Sequence, residues 1–420
     1  MDGVWHRRQR WSLWWLLLPI GLLVAQVSTI PYLEPDSTHY LSMASSLAEN
    51  GVMLNMGNPH LMYAVGYPAV LSSVYLLPID PILGSSLLNI LLGMIYLLGV
   101  WCWCRRVAPS TAVWMTCLGM GNATVLYLYR RPLSEPLFMA LLIWCSLCLD
   151  TLVRQLPQRI NWKMLILSSV LMGMMVATRQ AGIVVMAGLG TLLLLKLWQR
   201  SITWQRAFVV CGCTGVVAMS VLLGLILHDQ QTKEFAPDRS NWDMMVRKSN
   251  FCADHHEDHL AGYLLEGVRL RVYEIGRLLA PGMFGCYANT GDWLNVNTFI
   301  YVPLAGLVFF GWWRLARRQH NTLIMMFPWY FALYVYWPAD QGGRFFAPIL
   351  PLLFLSLWKG LGVAPILKHT WCVRAQVIAH ALAAVVVWWG LDYRNNIKVL
   401  EEWRQNEAVS QYLQPLRHHR

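Results

Sequence analysis

Glu34-Pro35-Asp36-Ser37-Thr38-His39-Tyr40-Leu41-Ser42-Met43-Ala44 is the stretch on which the reading of this chain turns. Before it lies Trp11 to Leu33, a run without Asp, Glu, Lys or Arg that follows Arg7, Arg8 and Arg10. Such a run is long enough to cross roughly 30 Å of hydrocarbon as a helix. With no small-residue cleavage site before Glu34, it reads as an uncleaved signal anchor whose N-terminus lies in the cytoplasm. The quoted stretch then emerges on the outer side. Its residues Tyr40, Leu41, Ala44, Leu47 and Ala48 recur at helical spacing, with Ser42, Ser45, Glu49 and Asn50 on the other face and Gly51 as the stop. That spacing predicts a short amphipathic helix over 37–50, lying on the membrane.

Outward from this loop the composition is that of a membrane protein, with 56% apolar and only 13% charged residues in 420. A net charge of +11 would suggest nucleic-acid binding in a soluble chain. Here the basic residues punctuate long uncharged runs, which excludes nucleic acid as a partner. The runs predict an all-α polytopic protein with eleven spans, near 11–32, 81–104, 108–128, 136–153, 163–178, 180–198, 207–228, 294–313, 321–338, 345–362 and 375–391. The segment 61–79 is also apolar enough to cross. Keeping it out of the count places Arg105, Arg106, Arg154, Arg206, Arg317 and Arg318 in cytoplasmic loops, as the loop-charge rule favours. It is therefore expected to lie at the outer interface. The resulting organisation is a transmembrane module over 1–392, with a first outer loop at 31–80 and a long outer loop at 229–292, and an outer C-terminal tail at 393–420. Almost all carboxylates then face outward, and so does any chemistry, from a plasma or inner membrane.

Several outer residues carry a functional reading beside a plainer one. Asp36 suits a helix cap, but it keeps company with Glu34, His39 and Tyr40, and no Lys or Arg occurs between Arg10 and Arg105. His39 and Tyr40 read equally as ligands or as interfacial packing. Arg130, Arg131, Arg179 and Arg344 lie outside against the loop-charge trend. Arg130 and Arg131 read either as functional groups or as snorkelling side chains; Arg179, between two apolar runs, is costly unless paired. Glu135 is either the partner of Arg130 or Arg131 or a second site acid. In the long loop, Cys252 and Cys286 are placed to pair in an oxidising compartment. His255 and His259 stand four apart, as metal ligands on one helical face do, but also as a solvated loop would have them. Trp242, Arg247, Lys248, Tyr263, Arg269, Arg271 and Tyr273 suit an acceptor groove or an ordinary amphipathic surface.

The first-loop residues Glu34-Pro35-Asp36, with Ser37 to Ala44, Leu47 and Gly51, resemble the signature of the GT-C superfamily of integral membrane glycosyltransferases, which includes the protein O-mannosyltransferases and aminoarabinose transferases. Ser134-Glu135-Pro136-Leu137-Phe138, Thr178-Arg179-Gln180-Ala181-Gly182 and Gly343-Arg344-Phe345-Phe346-Ala347-Pro348 are similar to further family segments, and Tyr67-Pro68 to its second interfacial helix. The resemblance implies inverting transfer of a sugar from a polyprenyl-phosphate carrier to a lipid, glycan or protein acceptor on the outer side, with the first-loop acid as base. Asp36 matches that acid and Glu34 stands as its substitute. The acids are in the spaced form, with Pro35 between them and Ser37 where an adjacent acid would stand, so the resemblance allows a divalent metal without implying one. The lipid-phosphate leaving group suits Arg130, Arg131, Arg179 and Arg344, whose planar forks match phosphate oxygens. A glycan ligase or polymerase of another fold, and a transporter, are the rival readings.

Overall fold

The computed structural model describes residues 14–27, 33, 35–59, 63–231, 260–280, 298–337, 343–362 and 370–390. A turn of 3-10 helix, Trp14–Leu16, leads into α1 (Leu17–Val24). The first loop holds α2 (Pro35–Asn50) and α3 (Gly66–Tyr75). Then follow α4 (Pro81–Val107), α5 (Ala112–Met120), α6 (Ala123–Tyr129), α7 (Glu135–Gln155), α8 (Trp162–Thr178), α9 (Val184–Trp198) and α10 (Trp204–Gln231). The remainder comprises α11 (Leu260–Leu279), α12 (Thr298–Arg318), α13 (Thr322–Val335), α14 (Leu350–Leu361) and α15 (Thr370–Gly390). Among the described residues, five stretches are long and apolar enough to cross a membrane: Pro81–Val107, Glu135–Gln155, Gln180–Trp198, Trp204–His228 and Phe299–Arg318; Trp14–Val24, Trp162–Thr178, Thr322–Val335 and Ala347–Leu361 are shorter apolar helices. Leu91, Ile166 and Phe208 are exposed on α4, α8 and α10, the apolar outer surface that a lipid-embedded bundle requires. The protein is an all-α polytopic membrane protein.

Helix starts follow local chemistry. Asp80 caps α4 by accepting from the backbone N–H groups of Ile82 (2.9 Å) and Leu83 (3.0 Å), with Pro81 in the first position. Asn161 and Asn321 cap α8 and α13 in the same way. The run expected to cross at 108–128 is broken at Gly121–Asn122 into α5 and α6. Asn122 caps α6 and donates through Nδ2 to the carbonyl of Leu278 at 2.9 Å, so the break supplies a polar tie to α11. The ambiguous segment 61–79 contributes only α3. Its ten residues rise about 15 Å, roughly half of a hydrocarbon core.

The first-loop helix begins at Pro35 and ends before Gly51, whose φ of +68° is the left-handed conformation that stops helices. The expectation of a wet polar face is corrected. Ser37, Thr38, Ser42 and Ser45 are buried, as are Tyr40, Leu41, Met43 and Ala44. The polar side is covered by the chain after Gly51, where Ser42 Oγ accepts from the N–H of Met56 at 2.7 Å. Only the last turn, with Glu49 and Asn50, is exposed.

Helix α7 is the centre of the bundle, packed by α4, α8 and α13 and buried along most of its length. It holds one carboxylate at each end. At the end away from the first loop, buried Asp150 accepts from both the N–H and the Oγ1–H of Thr322, each at 2.7 Å, and so ties α7 to the start of α13. Asp150→Ala strands these two buried donors and is expected to lower unfolding stability by about 1–3 kcal/mol, read by thermal unfolding in detergent. At the other end stands Glu135.

Candidate active site

Four chain segments deliver charged groups to the first-loop end of α7. Asp36 sits in the first turn of α2, where the helix dipole favours an anion. Glu135 opens α7. Arg179 lies in the extended link after α8, and Arg344 in the turn before α14. Arg344 joins the two acids. Its Nε donates to Glu135 Oε1, and its Nη2 donates to Asp36 Oδ2 at 2.8 Å. Arg179 Nη1 donates to the same Glu135 oxygen and to Ser134 Oγ, the latter at 3.3 Å. The Glu135 side chain is 1% exposed, whereas Asp36 is 29% exposed, so the first acid is open to an incoming group and the second is enclosed.

Tyrosines complete the network. Tyr63 donates to Asp36 Oδ1 at 3.2 Å, and Tyr40 donates to Ser134 Oγ at 3.1 Å. Burial pushes the Tyr40 phenol up to about 12, with Glu135 and Asp36 adding to the effect. Burial likewise raises Tyr63, with Asp36 beside it. Both therefore stay protonated as hydrogen-bond donors. Burial alone would lower the Arg344 guanidinium, but Glu135 and Asp36 outweigh it, so the group is firmly cationic. His39 stacks on Tyr63 with ring centroids 4.8 Å apart and meets Asn55 Oδ1 through Nδ1 at 2.8 Å. Behind Tyr40, Tyr67 packs edge-on at 5.3 Å and donates to Asn89 Oδ1 at 3.1 Å.

Two glycines fix where the arginines stand. Gly343 has φ +85°, and a Cβ there would also fall 2.9 Å from Leu278 Cγ, so the turn carrying Arg344 closes onto α11. Gly66 lets α3 dock against the backbone just before Arg179; a Cβ would fall 2.6 Å from Thr178 Oγ1 and 2.8 Å from Thr178 N.

Of the residues singled out in the sequence, Asp36, Glu135, Arg179, Arg344 and Tyr40 share one network, with His39 beside it. Glu135, read in the sequence either as a partner of Arg130 or Arg131 or as a second site acid, is paired with Arg179 and Arg344. Arg130 and Arg131 are buried instead of snorkelling; Arg131 lies 3.8 Å above the Tyr127 ring, and its carbonyl accepts from Asn89. Arg271 and Tyr273 do not line an open groove, since Arg271 is fully buried and Tyr273 packs edge-on against Tyr301 at 4.7 Å. Tyr63, Ser134 and Asn55 are the site residues that the sequence reading missed. Glu34, the Cys252/Cys286 pair, His255, His259, Trp242, Arg247, Lys248 and the tail lie outside the described residues.

The described side chains of the site do not offer a divalent metal a ligand set. Asp36 Oδ1 accepts from Tyr63, Asp36 Oδ2 from Arg344, and Glu135 Oε1 from Arg179 and Arg344. Glu135 Oε2 is buried without a partner among the described residues. A hard divalent cation wants about six oxygen ligands, and here a guanidinium already stands between the two acids it would share. Among the described residues no group of three His, Cys, Asp or Glu side chains is arranged to hold a metal.

No protein-family model matches the sequence, and no curated protein matches it either. Solved structures do match in fold. ArnT from Cupriavidus metallidurans bound to undecaprenyl phosphate aligns with a TM-score of 0.54 at 13% identity, over 96% of this chain and 74% of that one. The same protein in the apo state gives 0.52 at 13% identity, over 97% and 74%. The apo oligosaccharyltransferase of Archaeoglobus fulgidus gives 0.52 at 11% identity, over 96% of this chain and 56% of that one. The likeness runs through nearly the whole chain, so the protein shares the fold of these ArnT and oligosaccharyltransferase structures.

Proposed function

We propose that this protein transfers a sugar from a polyprenyl-phosphate carrier to an acceptor hydroxyl or amine, with inversion, on the outer face of a plasma or inner membrane. The observation that carries the reading is the convergence of Asp36, Glu135, Arg179 and Arg344, from four separate segments, at one end of a bundle with this fold. The bundle's other end presents Arg105, Arg106, Arg154, Arg317 and Arg318, the side that the loop-charge rule assigns to the cytoplasm. This orientation goes with eleven crossings. The ArnT structure contains undecaprenyl phosphate, a carrier of the class proposed.

In the reaction, the acceptor nucleophile attacks the anomeric carbon while the bond from that carbon to the carrier phosphate oxygen breaks. The phosphate leaves with the electron pair, and Asp36 takes the nucleophile's proton. Asp36 is the exposed acid of the pair, as a base meeting an incoming group must be. Glu135, enclosed beneath the two arginines, holds them in place. The carrier phosphate meets the donors that the acids leave over: Nε and Nη2 of Arg179, and Nη1 of Arg344. The two carboxylates and two guanidiniums of this network sum to zero charge, so a bound phosphate draws Arg344 away from Asp36 as it arrives. The base is thereby freed when the donor is in place. His39 and Tyr63, stacked beside Asp36, present the aromatic surface on which a sugar or acceptor ring lies.

Arg179→Lys and Arg344→Lys test the phosphate role. Each keeps the charge and loses the planar fork, and each is expected to weaken donor use about 10-fold or more through loss of a charge-assisted pair, with expression maintained. Unchanged donor dependence in both variants, measured with purified polyprenyl-phosphate sugar in nanodiscs, would remove them from the donor site. Because Arg344 already bridges the acids, transfer is expected to proceed equally in EDTA and in added magnesium or manganese; abolition by EDTA and rescue by one metal would overturn that account of the site.

A further inference from the structure

Outside the site, one buried ionic group has no role in the chemistry above. Arg271 and Glu274, both on α11, are 0% and 2% exposed and pair at 2.6 Å. A buried pair is a poor way to gain stability, because two desolvated ions cost more than a well-packed apolar pair of similar volume. Its surroundings suggest another use. Arg271 Nη2 donates to the carbonyl of Trp337 at 3.0 Å, and its guanidinium carbon lies 5.7 Å from the centre of the Phe345 ring. Phe345 follows Arg344 directly. The same ring lies 5.7 Å from the guanidinium of Arg179, stacks on Tyr334 at 4.2 Å and 19°, and meets Trp337 edge-on at 6.0 Å. Its carbonyl accepts from Tyr330 at 2.7 Å. Helix α11 is itself firmly seated: Gly276 passes against Tyr301, Gly267 against the Val335 carbonyl, and Leu278 beneath Gly343.

We propose that the Arg271–Glu274 pair is a positioning element for the donor site: it fixes the Phe345 ring, and through it the places of Arg344 and Arg179. The assignment deepens the glycosyltransferase reading and rests on it for the donor. Cation–π attraction acts within about 6 Å and strengthens when the cation is desolvated, as Arg271 is. With Glu274 fixing one edge of the guanidinium and the Trp337 carbonyl the other, Arg271 has little freedom to leave the ring. Phe345 in turn presents one aromatic surface to guanidiniums from two segments, so a shift of the ring moves both phosphate-binding groups together. The pair acts on the site through Phe345.

Single charge removals would leave a buried ion alone, so the informative variant is the double replacement Arg271→Met/Glu274→Leu, in the full-length protein in nanodiscs. Amide hydrogen exchange across 343–349, protected in the wild type by the Phe346, Ala347 and Ile349 turn bonds, is expected to rise about tenfold, with the inner ends of α7 and α13 unchanged. The donor KM is expected to rise by a similar factor of about ten, with kcat changed far less. Should the double variant fail to fold, Arg271→Lys, which retains the ion pair but offers no planar group to Phe345, is expected to show both effects in smaller measure. Wild-type exchange at 343–349, or a wild-type donor KM, would overturn the proposal. If the wild type transfers no sugar at all, the functional reading falls, while the exchange measurement still decides whether this pair holds the turn.

Discussion

Asp36→Asn is expected to lower sugar transfer about 10²–10⁴-fold, the usual worth of a positioned general base, in a protein that inserts and folds. The amide preserves shape and its one oxygen can still accept from Arg344, as carboxylate Oδ2 does at 2.8 Å, while its NH2 group takes the place of Oδ1, which accepts from Tyr63 at 3.2 Å, and can donate to that hydroxyl instead. It cannot take up a proton from the attacking nucleophile. Because Asp36 is partly open and at the first turn of α2, losing its charge costs little stability compared with a fully enclosed acid. Binding of the carrier lipid should persist or tighten, since Arg344 is no longer shared with an anion at that position. Substantial turnover in Asp36→Asn would move the base to Glu34 or discard the mechanism. Assaying both the transfer rate and carrier binding separates loss of the base from loss of the site.

Glu135→Gln is expected to be the most destabilising single change at the site, by about 3–5 kcal/mol, as for removal of one partner from a buried ionic group. Two arginines from distant segments converge on its Oε1, and the side chain is 1% exposed. The amide leaves their positive charges buried, close together, with Asp36 as the remaining nearby anion of the network. Thermal unfolding should fall sharply and membrane yield with it. A second substitution sharpens the test. Glu135→Gln/Arg179→Gln removes one of the stranded cations and should recover part of the lost stability, which is the non-additivity expected of groups in one network. A single Glu135→Gln variant that unfolds like the wild type would show that the arginines are not held by this acid.

The helices were legible in the sequence because uncharged runs have one stable form in a bilayer, and the first-loop helix because its apolar spacing and Gly51 mark it. Asp36, Glu135, Arg179 and Arg344 stood out singly, each being a charge in an expensive place. Their partnership was not legible. The pairs Arg179–Glu135, Arg344–Glu135 and Arg344–Asp36 span 44, 209 and 308 positions, and nothing local states which acid answers which base. Proximity in sequence offered Arg130 and Arg131 as one of two readings for Glu135, the other being a second site acid. Tyr63 escaped notice because it sits in a turn without periodicity, where a phenol looks like any interfacial aromatic. The burial of Ser37, Thr38, Ser42 and Ser45 was hidden for a related reason. Helical spacing shows which face is less polar, but it cannot show that the polar face is covered by the loop that follows. Helix α11 was hidden inside a long polar loop, and Arg271 looked like a surface residue until Glu274, Trp337 and Phe345 enclosed it.

In the proposed mechanism the Asp36–Arg344–Glu135 constellation drives cleavage of the bond between a sugar and a polyprenyl phosphate. The most direct measurement is release of free polyprenyl phosphate from a panel of polyprenyl-phosphate sugars by the purified protein in nanodiscs, with an acceptor extract from the same membranes. Release is expected with at least one sugar from the wild type and almost none from Asp36→Asn. No release with any donor, or equal release from the two proteins, would contradict it.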